Sequence, residues 1–296
     1  MSTQIALRSS PWPVQVIRHR SDLGHWQITL GAPSPDLAAY VVGYWGYADT
    51  SMQVMQRRKA PTGNVTLIIN FGPPFRLTDS RHSDVTLEPR HSFIAGLHET
   101  AVLIEATGDS HCVQVDMTPI GAFRFLGCPM DALTHRIVEL EDILGASAQQ
   151  LRTSVYETNN WSARFALLDA AIADRIARTP AASPDITWAW RELHRTGGRI
   201  GIGALADAVG CSSQHLITGF HRQIGLSPKK LARIVRFNRT LRQFEKTDDP
   251  DWAVIALDNG YYDQAHFNRD FRHFTDCTPG EFVQRRLPDQ RGVARL

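Results

Sequence analysis

Two short stretches near the end of the sequence combine amide, hydroxyl and guanidinium side chains at the spacing of one helix face. Each stretch follows a residue that can cap a helix, Ser212 in the first and Asp263 in the second. Amide and guanidinium groups form paired hydrogen bonds with base edges, glutamine with adenine and arginine with guanine. The candidate base-contacting residues are Ser213, Gln214, Ile217 and Thr218 in the first stretch, and Gln264, Ala265, Asn268 and Arg269 in the second.

Both stretches lie inside a pattern of two short helices joined by a tight turn. In the first unit an apolar helix ends at Gly210, where a left-handed backbone costs least. A second unit repeats this layout about fifty residues later, with Gly260 at the turn. The pattern predicts two helix-turn-helix units, in which the second helix of each enters a major groove. The repeated apolar positions are Leu205, Ala206, Leu216 and Phe220, matched by Ile255, Ala256, Phe267 and Phe271.

One long linker helix is predicted between the two units, from Lys229 to Phe244. Apolar residues follow one side of it, and arginines and lysines occupy much of the rest. We interpret basic side chains in this region as contacts to phosphate, which position a protein on DNA without reading its sequence. The phosphate-contact candidates are Arg222, Lys229, Arg236, Arg272 and His273.

Residues 186–288 resemble the DNA-binding domain of the AraC/XylS family of bacterial transcription regulators. Besides the repeated apolar positions, the resemblance rests on Gly225-Leu226-Ser227-Pro228, Gly260-Tyr261, His266-Phe267-Asn268-Arg269-Asp270-Phe271 and Thr278-Pro279. It implies two recognition helices held by the linker helix and placed in successive major grooves. Thr218 and Gly219 depart from the family pattern, in which an arginine often lies on the first recognition helix. The first unit is therefore expected to read bases weakly or mainly to fix the position of the protein on DNA. Gly219 is expected to permit close approach of the backbone to either DNA or a neighbouring helix.

Short runs of apolar and β-branched residues predict strands in the first half, at 65–71, 93–95, 101–104 and 112–115. A hairpin turn is predicted at Gly108-Asp109-Ser110, between the last two strands. Thr118 is expected to cap a helix over 119–126, and apolar periodicity predicts another helix over 160–178.

Residues 35–178 resemble, more weakly, the sensor domains of the same family. The resemblance implies a cupin-like β-barrel or sandwich followed by helices, and either a small-molecule effector or a dimer contact. Candidates for an effector pocket are Trp26, Tyr44, Trp45, Tyr47, Phe71, Phe93 and His98. The alternative interpretation of each is packing in the barrel core, because aromatic residues fit the half-buried surface of a strand.

The predicted fold class is α+β with two domains. A β-rich sensor or dimerisation domain is expected over 1–179, a linker over 180–184 and an all-α DNA-binding domain over 185–296, with Asp185 capping its first helix. The small residues and prolines around the linker favour an extended segment.

Charged residues are unevenly distributed along the chain. Residues 186–296 contain 17 Lys and Arg against 12 Asp and Glu, whereas residues 1–185 contain 15 Lys and Arg against 18 Asp and Glu. This asymmetry indicates a nucleic-acid partner for the second half.

Other classes of protein are not expected. The four cysteines form no CxxC pair and the histidines no HExxH pair, which argues against disulfides, a metal site or a cofactor and suits a reducing cytoplasm. Neither a phosphate loop nor a GxSxG motif occurs, so no enzymatic activity is expected. The sequence also lacks an apolar run of membrane-spanning length and a signal peptide at its start.

Two hypotheses for the first half stay open. In one, it binds a small-molecule effector and couples that binding to DNA binding. In the other, it only dimerises or contacts a protein partner. Under both, the expected partners are double-stranded DNA, a second copy of the chain and RNA polymerase. A shift in thermal stability with small molecules would favour the first hypothesis.

Overall fold

The computed structural model of the chain describes residues 6–7, 14–21, 24–49, 55–79, 89–106, 110–244, 251–284 and 293–294. Strands dominate the first part of the chain and helices dominate the rest, which confirms the predicted α+β class. Within the described residues, no helix combines the length and the apolar character needed to cross a membrane.

The strands form two antiparallel sheets. Their bounds are β1 (Ala6–Leu7), β2 (Val14–Ser21), β3 (Gly24–Gly31), β4 (Val41–Asp49), β5 (Met55–Lys59), β6 (Val65–Asn70), β7 (Arg76–Asp79), β8 (Phe93–Ala95), β9 (Val102–Ala106), β10 (His111–Met117), β11 (Ile137–Glu139) and β12 (Val293–Ala294). The larger sheet has the order β1-β2-β3-β4-β10-β6-β8-β11. The smaller sheet has the order β12-β5-β9-β7, so a strand near the end of the chain pairs with β5.

The larger sheet has two distinct faces because successive side chains along a strand alternate. Along β10, Val113 and Val115 are fully buried in the main core, which also contains side chains of the helical layer. Cys112, Gln114 and Asp116 lie on the opposite face and line a cavity. The side chains of the neighbouring β6 alternate between the two faces in the same way, because β6 pairs with β10 along its whole length.

The predicted strands are confirmed, but the predicted hairpin is wrong. β9 pairs with β5 and β7 in the smaller sheet, whereas β10 pairs with β4 and β6 in the larger one. β9 and β10 therefore belong to different sheets, and Gly108 and Asp109 of the proposed turn lie outside the described residues. Two strands were not predicted, β2 and β3, which pair with each other from Val14 to Gly31.

The helices begin and end close to the predicted positions. Their bounds are α1 (Pro119–Leu126), α2 (Leu140–Leu144), α3 (Ala146–Glu157), α4 (Trp161–Arg178), α5 (Pro184–Arg195), α6 (Ile202–Val209), α7 (Ser213–Ile224), α8 (Pro228–Phe244), α9 (Trp252–Asp258), α10 (Gln264–Thr275) and α11 (Pro279–Gln284). Ser183, not Asp185, is the N-cap of α5, because Pro184 occupies the first helical position and lacks the N–H that would need a partner there. The division into two domains stays a prediction.

Helix α4 packs across the larger sheet. Tyr44 of β4 is fully buried, its ring stacks on Phe165 at 5.5 Å, and its hydroxyl donates to Asp169 Oδ1 at 2.8 Å. Burial, followed by the neighbouring Asp169 carboxylate, raises the pKa of Tyr44. Gly46, two residues along the strand, leaves room for Trp161, since a Cβ there would lie 2.3 Å from the indole.

Replacement of Thr118 by alanine is expected to destabilise the junction of β10 and α1. The Thr118 hydroxyl accepts from the Gly121 amide at 3.0 Å and donates to the Ala39 carbonyl at 3.1 Å. Losing the cap should cost about 1–2 kcal/mol of unfolding free energy. Urea denaturation checks this, with Thr118→Ser as the control that keeps the hydroxyl. Equal midpoints for the alanine variant and the wild type would contradict the assignment.

Candidate nucleic-acid interface

The first helix-turn-helix unit consists of α6 and α7. Gly210 has φ +77°, so it adopts the left-handed conformation expected at the turn. The Ser212 side chain accepts a hydrogen bond from the His215 amide at 3.1 Å and caps α7. Leu205 packs with Leu216 and Phe220 in the core, and all three are fully buried.

The second unit, α9 and α10, repeats this geometry. Gly260 has φ +79°, and Asp263 accepts from the His266 amide at 2.6 Å. Phe267 and Phe271 are fully buried with their rings 5.4 Å apart. The two predicted caps and the two predicted turns are therefore confirmed.

The predicted base-contacting residues lie on the N-terminal parts of α7 and α10. Six of the eight are exposed, and Ile217 and Asn268 are half-buried. The Thr218 hydroxyl donates to the Gln214 carbonyl at 3.0 Å, within its own helix. The first unit thus offers fewer polar groups toward bases than the second, where Arg269 is exposed. Contact of these residues with DNA stays a prediction.

Four of the five predicted phosphate contacts lie at or near the surface. Arg222, Lys229 and Arg272 are exposed, and His273 is half-buried with its ring 5.1 Å from that of Phe274.

Arg236 makes contacts within the protein that its predicted role as a phosphate contact did not include, and that role stays a prediction. Its guanidinium donates to the Gly198 carbonyl at 3.0 Å and lies over the Tyr261 ring at 5.5 Å. It is therefore a half-buried bridge between the segment before α6 and the turn of the second unit. The reason is the close approach of Gly198, where a Cβ would lie 2.2 Å from the Ala232 carbonyl oxygen.

Gly219 makes room for a neighbouring helix. A Cβ at this position would lie 2.4 Å from Cδ1 of Ile186 in α5. Ile186 is itself buried, so the contact is part of the packing between α5 and α7. Of the two explanations that the sequence left open, the structure favours this one.

Arg233 and Asp270 attach the second recognition helix to α8. Arg233 Nη2 lies 2.8 Å from Asp270 Oδ1, and the Asp270 side chain is only 7% exposed. Around this pair, Phe237 of α8 contacts Phe271 and Phe274 at centroid distances of 5.5 and 4.8 Å. The sequence analysis did not single out this pair, although Asp270 occupies a buried position of α10.

Helix α8 also contacts the β-rich half. Lys230 Nζ lies 2.6 Å from Glu99, and Asn238 donates to the Pro61 carbonyl at 3.0 Å. Burial by itself would raise the pKa of Glu99, but hydrogen bonds from His135 and Lys230 outweigh it and lower the pKa to about 2. The segments around Pro61 and Glu99 also border the cavity between the two sheets.

This cavity is lined by strands of both sheets, and we call it the barrel cavity. It has a volume of about 190 Å³. Much of its wall is apolar, formed by side chains such as Ile68, Leu77 and Ile104. A polar group joins the walls from the two sheets, with Lys59 on β5 of the smaller sheet and Gln114 and Asp116 on β10 of the larger sheet. There Lys59 donates to Gln114 at 3.1 Å, and Gln114 donates to Asp116 at 2.8 Å. Burial raises the pKa of Asp116, with Lys59 acting in the opposite direction.

The structure divides the predicted pocket residues. Tyr47, Phe93 and His98 line the barrel cavity. Tyr44, Trp45 and Phe71 are not among its lining residues, and neither is Trp26. Tyr44 faces α4 instead, and Phe71 packs near Tyr156 at 6.0 Å and beneath the Arg164 guanidinium at 5.1 Å.

Sequence reasoning missed Lys59, Gln114 and Asp116. For Gln114 and Asp116, the available signal was their alternation with the apolar residues of β10.

Two family models match separate parts of the chain. Residues 205–285 match a model described as a helix-turn-helix domain, and residues 31–139 match a domain of unknown function, DUF6597. Among curated proteins there is no match.

Three solved structures are among those that have a similar course of the chain. ToxT from Vibrio cholerae O395 is 10% identical, with 77% of this chain and 95% of that chain covered and a TM-score of 0.43. ToxT from strain SCE256 with a bound unsaturated fatty acid is 12% identical, with 78% and 91% covered and a TM-score of 0.41. The AraC-like transcriptional activator CuxR is 12% identical, with 82% and 87% covered and a TM-score of 0.25.

Proposed function

From the premise that this chain is an AraC/XylS-type transcription regulator, we propose that it reads a specific DNA site with α7 and α10 and responds to a small molecule in the barrel cavity. The proposal assigns effector binding and dimerisation to residues 1–179, and DNA binding to residues 185–296. It places the protein in the cytoplasm, where the four free cysteines stay reduced. RNA polymerase is the partner through which transcription would change.

The observation that carries the DNA-binding proposal is the repeated presentation of a capped helix with an exposed polar N-terminal face. Such a helix fits a major groove, and its side chains reach the base edges there. Because α8 connects the two units and packs on α10 through Arg233 and Phe237, the separation of the recognition helices is fixed by one rigid element. Two grooves on one side of the duplex are therefore the expected target.

Binding of the full chain to a pool of genomic DNA fragments tests this proposal. Enrichment of a shared site, with affinity falling steeply as salt increases, is the expected result. Weak binding without enrichment at any salt concentration would contradict sequence-specific recognition.

The barrel cavity supports an effector that combines an apolar body with one polar end. The apolar side chains favour burial of hydrocarbon, and the group formed by Lys59, Gln114 and Asp116 would orient the polar end. Pro61 lines this cavity and accepts a hydrogen bond from Asn238 of α8, and Glu99, which pairs with Lys230 of α8, lies between the lining residues His98 and Thr100. An occupant can therefore alter the element that spaces the recognition helices.

Replacement of Lys59 by methionine is expected to weaken effector binding about tenfold, since a charge-assisted hydrogen bond is lost. The measurement is the shift in melting temperature of the full chain with aliphatic and aromatic carboxylates and the corresponding alcohols. Lys229→Met, which removes an exposed lysine of α8, is the control. If no compound stabilises the wild type, the alternative of a first half that only dimerises gains support.

A further inference from the structure

A second cavity, of about 290 Å³, lies where the β-rich half, the predicted linker and α5 meet. Tyr40 and Arg124 contribute from the first half, Ala182 from the linker, and Trp190 and Arg191 from α5. We call this space the linker cavity. It shares no lining residue with the barrel cavity.

Two hydrogen-bond donors at the linker cavity have no acceptor within the part of the chain that the structure describes. They are Nε of Arg124 and Nε1 of Trp190, and both atoms are buried. The remaining nitrogens of Arg124 are used, because one donates to the Tyr40 hydroxyl at 3.0 Å and the other to the Thr179 carbonyl at 3.1 Å. A buried donor without an acceptor is costly, so an acceptor that reaches either atom from the cavity would be stabilised.

The charged side chains that line the linker cavity are all basic. Arg124 and Arg191 both belong to the lining, and it contains no acidic residue. Arg191 is exposed at the edge and forms no hydrogen bond or ion pair with any described residue. An anion would therefore find two guanidinium groups without a competing carboxylate.

The walls of the linker cavity favour a flat apolar body. Trp188 is 43% exposed and lines the cavity together with Trp190 and Ile120. Indole faces pack well against planar rings, and planar rings lose little conformational freedom on binding. The combination of cationic donors and indole rings defines the class of ligand.

We propose that the linker cavity binds a small organic anion that carries a planar ring. The anionic group accepts hydrogen bonds from Arg124, Arg191 and the Trp190 indole, and the ring packs on Trp188. Because the lining comes from the first half, the linker and α5, the bound molecule joins the two halves of the protein. This site goes beyond the effector proposed for the barrel cavity and does not depend on it.

Isothermal titration of the full chain without DNA tests the proposal. Indole-3-acetate represents a ring carboxylate and adenosine monophosphate a ring phosphate, and indole-3-acetamide and adenosine are their uncharged controls. We expect at least one anion to bind and its uncharged control to bind at least tenfold more weakly. Equal affinity of anion and control, or no binding of either anion at millimolar concentration, would overturn the proposal.

Three variants locate the site. Arg191→Gln should weaken binding of the anion about tenfold, whereas Arg195→Gln, a charge loss on the same helix away from the cavity lining, should leave it unchanged. Trp190→Phe keeps an aromatic ring but removes the indole N–H, and it should also weaken binding. Lys59→Met should have no effect. If Lys59→Met abolishes binding and Arg191→Gln does not, the anion occupies the barrel cavity and the linker cavity is not its site.

Discussion

An Arg269→Ala variant is expected to bind its DNA site about 10- to 100-fold more weakly and to lose preference at one base position. Arg269 is the exposed guanidinium on the N-terminal part of α10, and arginine pairs with guanine through two hydrogen bonds. A contact of this kind contributes about 1–3 kcal/mol to discrimination. The measurement is the affinity of the full chain for the enriched site and for its single-base variants.

Arg272→Ala is the matched control on the same helix. Arg272 is exposed and is predicted to contact phosphate, so its loss should weaken binding to all sequences about equally. It should also reduce the slope of log affinity against log salt by about one. An Arg269→Ala variant with an unchanged order of preference among the base variants would remove Arg269 from the base-contacting residues.

Replacement of Arg233 by methionine is expected to lower the free energy of unfolding by about 3 kcal/mol. Asp270 is buried, its Oδ1 is paired only 2.8 Å from Arg233, and its Oδ2 has no partner among the described residues. Without Arg233 the carboxylate would lie buried and uncompensated at the contact of α8 and α10. Chemical denaturation followed by circular dichroism measures the change.

A double-variant cycle separates the ion pair from simple packing. Asp270→Asn removes the charge with little change of shape, and the combination Arg233→Met/Asp270→Asn should recover part of the stability lost with Arg233 alone. Additive losses in the two single variants would show that the pair is not coupled. Because the pair holds the second recognition helix, the Arg233 variant should also lose DNA affinity.

Local signals in the sequence were sufficient to predict both helix-turn-helix units. Caps and turn glycines act over three or four residues, so Ser212, Asp263, Gly210 and Gly260 could be recognised from their neighbours alone. The apolar pair Phe267 and Phe271 was equally clear from its spacing. These features keep their meaning whatever surrounds them.

Roles that depend on distant partners could not be predicted. Arg236 resembles the other basic residues of its helix, and only the approach of Gly198 and Tyr261 gives it a bridging role. The connection between β9 and β10 resembled a hairpin because turn residues do not reveal whether the chain stays in one sheet. Tyr44 was a pocket candidate because it is an aromatic residue of the first half, and the sequence does not show which face of β4 meets α4.

Substitutions on the two faces of the larger sheet are expected to have different consequences in evolution. Val113 and Val115 contribute to the stability of the fold, because a change in the volume of either side chain would disturb the close-packed main core. Gln114 and Asp116, on the same strand, line the cavity and belong to its polar group. If the proposed effector occupies this cavity, substitutions at the cavity-facing positions can change ligand preference while the scaffold is inherited unchanged. Proteins that descend from one such ancestor could then respond to different small molecules while they keep the same fold.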